Sequence, residues 1–437
     1  MLSLILSFTT IFALIMVIVF KPVISIRNKD IQTFWMIPVI GVIALIIANE
    51  VKVSQVSEIL FVNSAINPIK ILILFISISF LSIVLDEAGF FKKCASFAVK
   101  HTSGSQKALF FSISLVVSVL TVFTSNDIVI LTFTPFICYF AKNAKISPIP
   151  YLIAEFIFAN TWSMMLIIGN PTNIYLATSF NIDFWNYFSI MVLPSIVTGL
   201  SAFGILYLMF RKSLNKPIES DEAFLEEVKV NKNVAIVAGI HLACCTILLA
   251  VSSYIGFEMW LVCLAFSISL MIFLIIYSFC KKENVIMNSI KRLPFNLIPF
   301  MISMFIIVAA LNQTGLMKNI ATAFDGIETR GAITVYVHGL SSFLSCNVLN
   351  NIPMSVMYEK IISSSNGIFM QEKIYSSIAA SNIGAYLTPV GALAGIMWMG
   401  ILKKMGIKFG FKEFLKYGVM LAPILILIAL TTLSIVL

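Results

Sequence analysis

The chain predicts an all-α polytopic membrane fold, an inverted repeat of about ten spans with two re-entrant hairpins, and three observations carry that reading. First, 59% of its 437 residues are hydrophobic and only 11% charged, with a mean hydropathy of +1.01, far from the roughly 25% charged residues of soluble domains. Second, apolar runs of about the 17 to 25 residues that cross a hydrocarbon core recur from end to end. Third, polar, glycine- and proline-containing stretches interrupt those runs in matched pairs. Ser125-Asn126-Asp127-Ile128 answers Leu349-Asn350-Asn351-Ile352, and Gly169-Asn170-Pro171-Thr172-Asn173 answers Thr388-Pro389-Val390-Gly391-Ala392.

The spans read in order. Residues 2–20 lack a basic leader and a small-residue cleavage site, which marks them as a retained span rather than a signal peptide. Spans at 32–49 and 67–85 follow, then a stretch at 108–141 that enters and leaves on one side, then 150–177 and 186–210. The hydrophilic connector 211–232 divides the chain into repeats 1–210 and 233–437. Beyond it come 233–252, 257–280, 295–311, a second such stretch at 331–361, then 374–402 and 417–437. Each half has five spans, and two consecutive copies of an odd-span unit must enter the membrane from opposite faces.

Residue landmarks support the duplication. Leu85-Asp-Glu-Ala-Gly89-Phe-Phe-Lys92 matches Leu311-Asn-Gln-Thr-Gly315-Leu-Met-Lys318 at an offset of 226. Asn126 matches Asn350 at 224, while Asn160 matches Asn382 and Gly169 matches Gly391 at 222. After Leu85 and Leu311 polarity rises and a glycine follows, so amphipathic arms are expected at 90–101 and 316–324 along the interface. Stretches 108–141 and 331–361 are too long for one span and polar at their centres, as expected of hairpins with tips near the midplane. Runs 150–177 and 374–402 are broken helices.

The net charge of +9 resolves as topology. With both termini outside, connectors 21–31, 86–107, 142–147, 211–232, 281–294 and 403–416 are cytoplasmic and hold 23 of the 29 Lys and Arg residues, the bias the positive-inside rule demands. A nucleic-acid partner is therefore unnecessary; the partners are the bilayer of the cell (inner) membrane and a small inorganic or organic solute. Seven scattered cysteines lack metal-ligand spacing and read as small buried hydrophobes. No nucleotide-binding loop, metal cluster or catalytic constellation occurs. The chain reads as no enzyme and needs no cofactor beyond a coupling Na+ or H+. Energy must come from an ion gradient, the solute's own gradient or a separate ATPase subunit.

Candidate site residues lie at the interruptions. Ser125, Asn126 and Asp127 are good helix caps, and an exposed helix N-terminus offers free N–H groups to a polar or anionic ligand. Asn350 and Asn351 stand at the second tip. Gly169 and Pro171 break the first long helix, leaving Asn170, Thr172 and Asn173 to face a solute or cation; Thr388 and Gly391 do so in the second half. The alternatives are a hairpin merely capped and helix kinks merely held by neighbours. An intramembrane carboxylate is a functional hypothesis by default. Asp127 is the expected coupling group because its counterpart, Asn351, is neutral. Glu155, roughly 7 to 9 Å into its span, is the second coupling candidate and is expected to snorkel toward the interface. His241 and His338 read as packing histidines.

Four motifs in order resemble the arsenical pump membrane permease (ArsB) family of the wider ion transporter superfamily, related to dicarboxylate and sodium/proton carriers. The run Leu85-Asp-Glu-Ala-Gly-Phe-Phe resembles that family's Leu-Asp-Glu-Ser-Gly-Phe-Phe. Phe123-Thr-Ser-Asn-Asp127 with Leu131-Thr-Phe-Thr-Pro135 resembles its Phe-Ala-Asn-Asp and Leu-Thr-Pro. Asn350-Asn351-Ile-Pro353 resembles Asn-Asn-Met-Pro, and Leu387-Thr-Pro-Val-Gly-Ala-Leu-Ala394 resembles Leu-Thr-Pro-Ile-Gly-Ser-Leu-Ala. The resemblance implies extrusion of arsenite or antimonite in exchange for protons, optionally with a soluble ATPase subunit, and is compatible with a homodimer. The chain departs from the family where Asn160 and Asn382 replace two intramembrane carboxylates, which bears on proton stoichiometry and substrate. Transport of a dicarboxylate, citrate, sulfate or another anion, sodium/proton exchange, and a non-transporting sensor are the competing readings.

Overall fold

The computed structural model describes residues 1–437 except 21–22, 27–28, 62–66, 101–103, 219–228, 253–254 and 282–283. Part of the 211–232 connector, and the last residue of the expected arm at 90–101, thus lie outside the described residues. The first half runs α1 (Leu2–Phe20), β1 (Val23–Ile26), β2 (Lys29–Gln32), α2 (Met36–Ile47), α3 (Val53–Phe61), α4 (Pro68–Glu87), α5 (Phe90–Lys100), α6 (Gln106–Phe123), α7 (Asn126–Asn143), α8 (Ile149–Trp162), α9 (Pro171–Ser179) and α10 (Phe184–Leu214). The second runs α11 (Lys232–Ser252), α12 (Met259–Lys281), α13 (Val285–Arg292), α14 (Leu297–Gln313), α15 (Leu316–Asp325), α16 (Gly331–Leu349), α17 (Asn351–Ser363), α18 (Met370–Ile383), α19 (Leu393–Lys404) and α20 (Phe411–Val436). From α4 to α10 and from α14 to α20 the order of elements is the same.

The fold class is the expected one. Among the described residues eight helices are long and apolar enough to cross a membrane, and α6 and α16 are two of them. The 12-residue α2 is about 18 Å long at 1.5 Å per residue, short of a full hydrocarbon core. The segment 21–31 is more than a bare connector: β1 and β2 pair antiparallel, Val23 with Gln32 through Ile26 with Lys29. Two further short helices, α3 and α13, arise where only connectors were expected, because nine and eight residues make little more than two helical turns beside the long apolar spans.

Local chemistry accounts for the helix ends. Asn67 caps α4 by accepting from the Ile69 and Lys70 amides, with Pro68 in the first turn. Gly89 and Gly315 adopt φ of 88° and 79°, left-handed geometry that turns the chain from a spanning helix into an amphipathic arm at low cost only for glycine.

Burial sorts the helices. α4, α8 and α18 are buried nearly all round, as a helix apolar on every side should be. α11 and α12 bury one narrow stripe each and form the periphery. The halves exchange contacts: α4 packs on α11 and α12, α14 on α1 and α2, and α10 on α20. At the centre α19 packs on α7, and α9 on α17. Each outgoing hairpin helix thus rests against the helix that follows the break of the other half.

Candidate functional site

At the first tip Thr124 and Ser125 are extended, and α7 begins at Asn126. The Asn160 side-chain amide donates to the Phe156 carbonyl at 2.8 Å, so its Oδ1 must point the other way, where Asn126 Nδ2 donates to it at 3.0 Å. That chain of donors leaves Asn126 Oδ1 buried without a partner, and Ser125 Oγ beside it is in the same condition. Asp127, half-buried, makes no hydrogen bond or ion pair among the described residues. It occupies the first turn of α7, where the helix dipole favours negative charge. Ser125 and Asp127 line a cavity of about 430 Å³ that also touches Ser79, Arg292, Asn296 and Leu393.

The second tip is built differently. Asn350 takes φ 77° and ψ 154°, a conformation costly for a residue with a side chain. Its Nδ2 donates to the Val390 carbonyl at 2.9 Å and its Oδ1 accepts from the Ile352 amide at 3.4 Å, so the strained tip is tied to the second break. Asn351, 4% exposed, opens α17.

The breaks are where the halves meet. Between α8 and α9 the chain makes a 3-10 turn at Ile167–Gly169, and Asn170 caps α9 by accepting from the Thr172 amide and hydroxyl at 3.2 and 3.0 Å. Asn170 Nδ2 donates to Asn382 Oδ1 at 3.0 Å, and Asn382 Nδ2 donates to Asn173 Oδ1 at 2.7 Å. Asn173 Nδ2 donates in turn to the Ser163 and Leu166 carbonyls at 2.8 and 3.2 Å. Ser163 Oγ stands 2.8 Å from both the Asn160 carbonyl and Asn382 Oδ1, and Thr172 Oγ1 stands 2.8 Å from Ser381 Oγ. The network therefore joins the first tip, the first break and α18. In this conformation Asn170, Thr172, Asn173 and Asn382 are spent on one another, whereas Ser125, Asn126 and Asp127 keep unused acceptors.

In the second half Ala392 and Gly395 stand where the first has Asn170 and Asn173, and the break is held from the hairpin arm α16 instead. Asn347 Oδ1 accepts from the Thr388 amide and hydroxyl at 3.0 and 2.9 Å, and Cys346 Sγ donates to the Gly391 carbonyl at 3.0 Å. Asn347 was legible only as the residue three before Asn350 on the same helix face. A Cβ on Gly169 would overlap the Ser163 carbonyl, and one on Gly391 the Gly384 carbonyl. Gly169→Ala and Gly391→Ala are each expected to cost about 2–3 kcal/mol, read as a lower unfolding midpoint of the purified protein.

Glu155 does not snorkel. It is fully buried, accepting from Thr134 Oγ1 at 2.8 Å and from Trp398 Nε1 at 3.4 Å, because α19 of the other half covers its face of α8. It thereby fastens α7 to α19. Glu359, equally buried and absent from the sequence reading, fastens α17 to α9 by accepting from Tyr175 at 3.2 Å, with Ser363 at 3.0 Å and Lys360 at 2.9 Å completing its shell. Arg292 pairs with Asp86 and, at 2.9 Å, with Glu87, while Thr132 donates to Asp86 at 2.7 Å, which bolts the end of α13 to α4 and α7 beside the cavity. His338 is more than a packing residue, since its Nε2 lies 2.8 Å from Glu328. Lys373 lies 2.9 Å from both Glu328 and Asp325. Burial raises the Glu328 carboxyl, but the close approach of His338 and Lys373 outweighs it and holds the group below its ordinary value.

Comparisons with known proteins agree with this architecture. The sequence profile of the family described as citrate transporter (CitMHS) matches residues 15–374. The arsenical pump membrane protein of Yersinia enterocolitica is 23% identical over 370 residues, covering 82% of this chain and 85% of its own. That of Escherichia coli K12 is 24% identical over 372 residues with the same coverage, and a putative arsenical pump membrane protein of Bacillus subtilis is 24% identical over 377, covering 81% and 84%. The motif resemblance to arsenical pump permeases therefore holds across most of the chain. In fold it matches the Alcanivorax borkumensis YdaH transporter, TM-score 0.58 at 12% identity over 99% of this chain and 97% of that one. It also matches Neisseria gonorrhoeae MtrF, from a class of antimetabolite efflux pumps, at 0.53, 13%, 99% and 94%. Profile, relatives and fold converge on a multi-pass secondary transporter moving a small solute through the bilayer, and the chain belongs to the citrate transporter (CitMHS) family.

Proposed function

We propose that this transporter extrudes arsenite or antimonite across the cell membrane in exchange for protons, with the solute held at the first hairpin tip and Asp127 as the coupling carboxylate. The observation that carries the reading is the set of unused groups there. Ser125 Oγ, Asn126 Oδ1 and the Asp127 carboxylate are rich in acceptors, and Asp127 looks into the 430 Å³ cavity. Neutral As(OH)3 brings three O–H donors and no charge, so it satisfies acceptors without meeting electrostatic repulsion. A citrate trianion would face an unpaired carboxylate in a place of low dielectric.

The mechanism follows from competition. An ionised Asp127 accepts hydrogen bonds from the solute; a proton arriving at the same oxygens removes that acceptor and releases the solute. The satisfied amides at Asn170, Asn173 and Asn382 act as the frame that keeps the break in register, and Glu155 and Glu359 keep each hairpin against the opposite half. The two halves form an inverted pair with termini outside, and the cavity beside Lys291 and Arg292 then opens toward the cytoplasm, the side from which an efflux carrier loads.

One observation favours a second reading, transport of an organic anion. Lys291 and Arg292 border the same cavity, and two cations could attract a carboxylate. Flux of arsenite, citrate, succinate and sulfate in proteoliposomes, with and without imposed proton and sodium gradients, separates the two. Proton-driven arsenite movement without citrate movement is expected. Sodium-driven citrate flux with no arsenite flux would replace the first reading with the second.

A further inference from the structure

A cleft on the flank of the molecule takes no part in the solute site. It encloses about 910 Å³ between α5, α6 and α11, and its walls are apolar: Phe90 and Phe97 from α5, Leu115 and Val119 from α6, and Ile236 and Ile240 from α11. Gly239 borders it with no atom within 4 Å of where a Cβ would stand, so the space continues down to the α11 backbone. Two lysines border the same cleft, Lys93 and Lys232. Both are exposed, and neither has an acidic partner among the described residues.

The position of these lysines selects the occupant. Lys232 is the first residue of α11, and Lys93 lies on the amphipathic arm α5, whose exposed Phe90 and Phe97 are the kind of side chains that rest at the headgroup level of a bilayer. An apolar cleft along membrane helices with two ammonium groups at its interfacial end, unpaired among the described residues, offers one place for an acyl chain and one for a phosphate. A basic pocket between membrane helices on the side rich in Lys and Arg favours an anionic headgroup, whereas a zwitterionic one brings its own cation against the lysines. We infer that the cleft between α5, α6 and α11 binds an anionic phospholipid of the surrounding bilayer, its phosphate held by Lys93 and Lys232 and an acyl chain lying along Gly239. α6 carries the first hairpin tip, so the bound lipid touches an element of the transport site without lining its cavity.

The test uses the full chain, stripped of lipid in a neutral detergent and titrated with phosphatidylglycerol or with phosphatidylcholine of the same chain length, and followed by thermal unfolding and native mass spectrometry. Phosphatidylglycerol should raise the unfolding midpoint above the phosphatidylcholine value and remain bound in the mass spectrum. Replacing both lysines, Lys93→Gln with Lys232→Gln, should weaken the phosphatidylglycerol response about thirty-fold, from about 1 kcal/mol for each basic residue, and leave the phosphatidylcholine response as it was. Lys93→Arg with Lys232→Arg should keep the preference. Gly239→Phe fills the cleft with both lysines in place and should abolish tight phosphatidylglycerol binding. Equal responses to the two lipids, or a preference that survives either the double glutamine variant or Gly239→Phe, overturns the assignment. So does a halving of the particle mass in Gly239→Phe, which would mean that a second copy of the chain fills the cleft.

Discussion

Asp127→Asn is expected to reduce proton-driven solute flux to background in proteoliposomes while the protein folds and purifies as the parent does. The side chain makes no hydrogen bond or ion pair among the described residues, so the isosteric amide breaks no contact. What it removes is a favourable charge in the first turn of α7, worth at most about 2 kcal/mol in a half-buried position. On the proposed mechanism the functional loss is large, because an amide can neither bind nor release a proton. Two measurements divide the role further. If gradient-free exchange of labelled solute persists in Asp127→Asn, Asp127 couples without being needed for binding; if exchange disappears as well, it is a solute ligand. Undiminished proton-driven flux would remove Asp127 from the mechanism altogether.

The second large effect is on stability. Asn382→Leu keeps the branching at Cγ but replaces the amide with a somewhat larger apolar group, and it strips partners from Ser163 Oγ, Asn170 Nδ2 and Asn173 Oδ1, all in residues with 0–1% exposure. A buried polar group left unsatisfied costs about 1–3 kcal/mol, and hydrogen bonds between membrane helices average less, so the combined loss is about 2–4 kcal/mol. The unfolding midpoint in detergent should fall accordingly, with poor recovery from the membrane. Ser381→Ala, one residue away, takes a hydroxyl from Thr172 and a long 3.4 Å acceptor from Asn382 Nδ2, which keeps Asn173 Oδ1 and the Ile378 carbonyl, and should cost far less. A variant Asn382→Leu as stable as the parent would show that the break is held by packing alone.

These two substitutions also mark how far the sequence was legible. The ends of α4 and α14, the arms α5 and α15, the tips at 124–126 and 350, and the breaks near 169 and 391 were all readable, because each depends on a few adjacent residues. A glycine that admits positive φ, a proline that denies a donor and a polar cap in an apolar run act locally. The strand pair at 23–32 and the short helices α3 and α13 were not readable, since nothing in their composition separates them from ordinary connectors.

The partners were beyond reach for a different reason. Asn170 and Asn382 are 212 residues apart, and Glu155 and Trp398 are 243 apart; which amide satisfies which, and whether a carboxylate reaches water or a tryptophan, depends on how α9, α17, α19 and α7 exchange between halves. The sequence pointed to the same polar residues at both breaks and both tips but could not separate those that bind one another from those left over. By itself it determined the membrane fold, the order of its interruptions and the bias of its basic residues, because hydropathy, helix breaking and charge need no partner. Only the tertiary structure decided that Asn170, Asn173 and Asn382 satisfy each other while Ser125 Oγ, Asn126 Oδ1 and the Asp127 carboxylate are left without partners among the described residues, because hydrogen-bond satisfaction is a property of pairs.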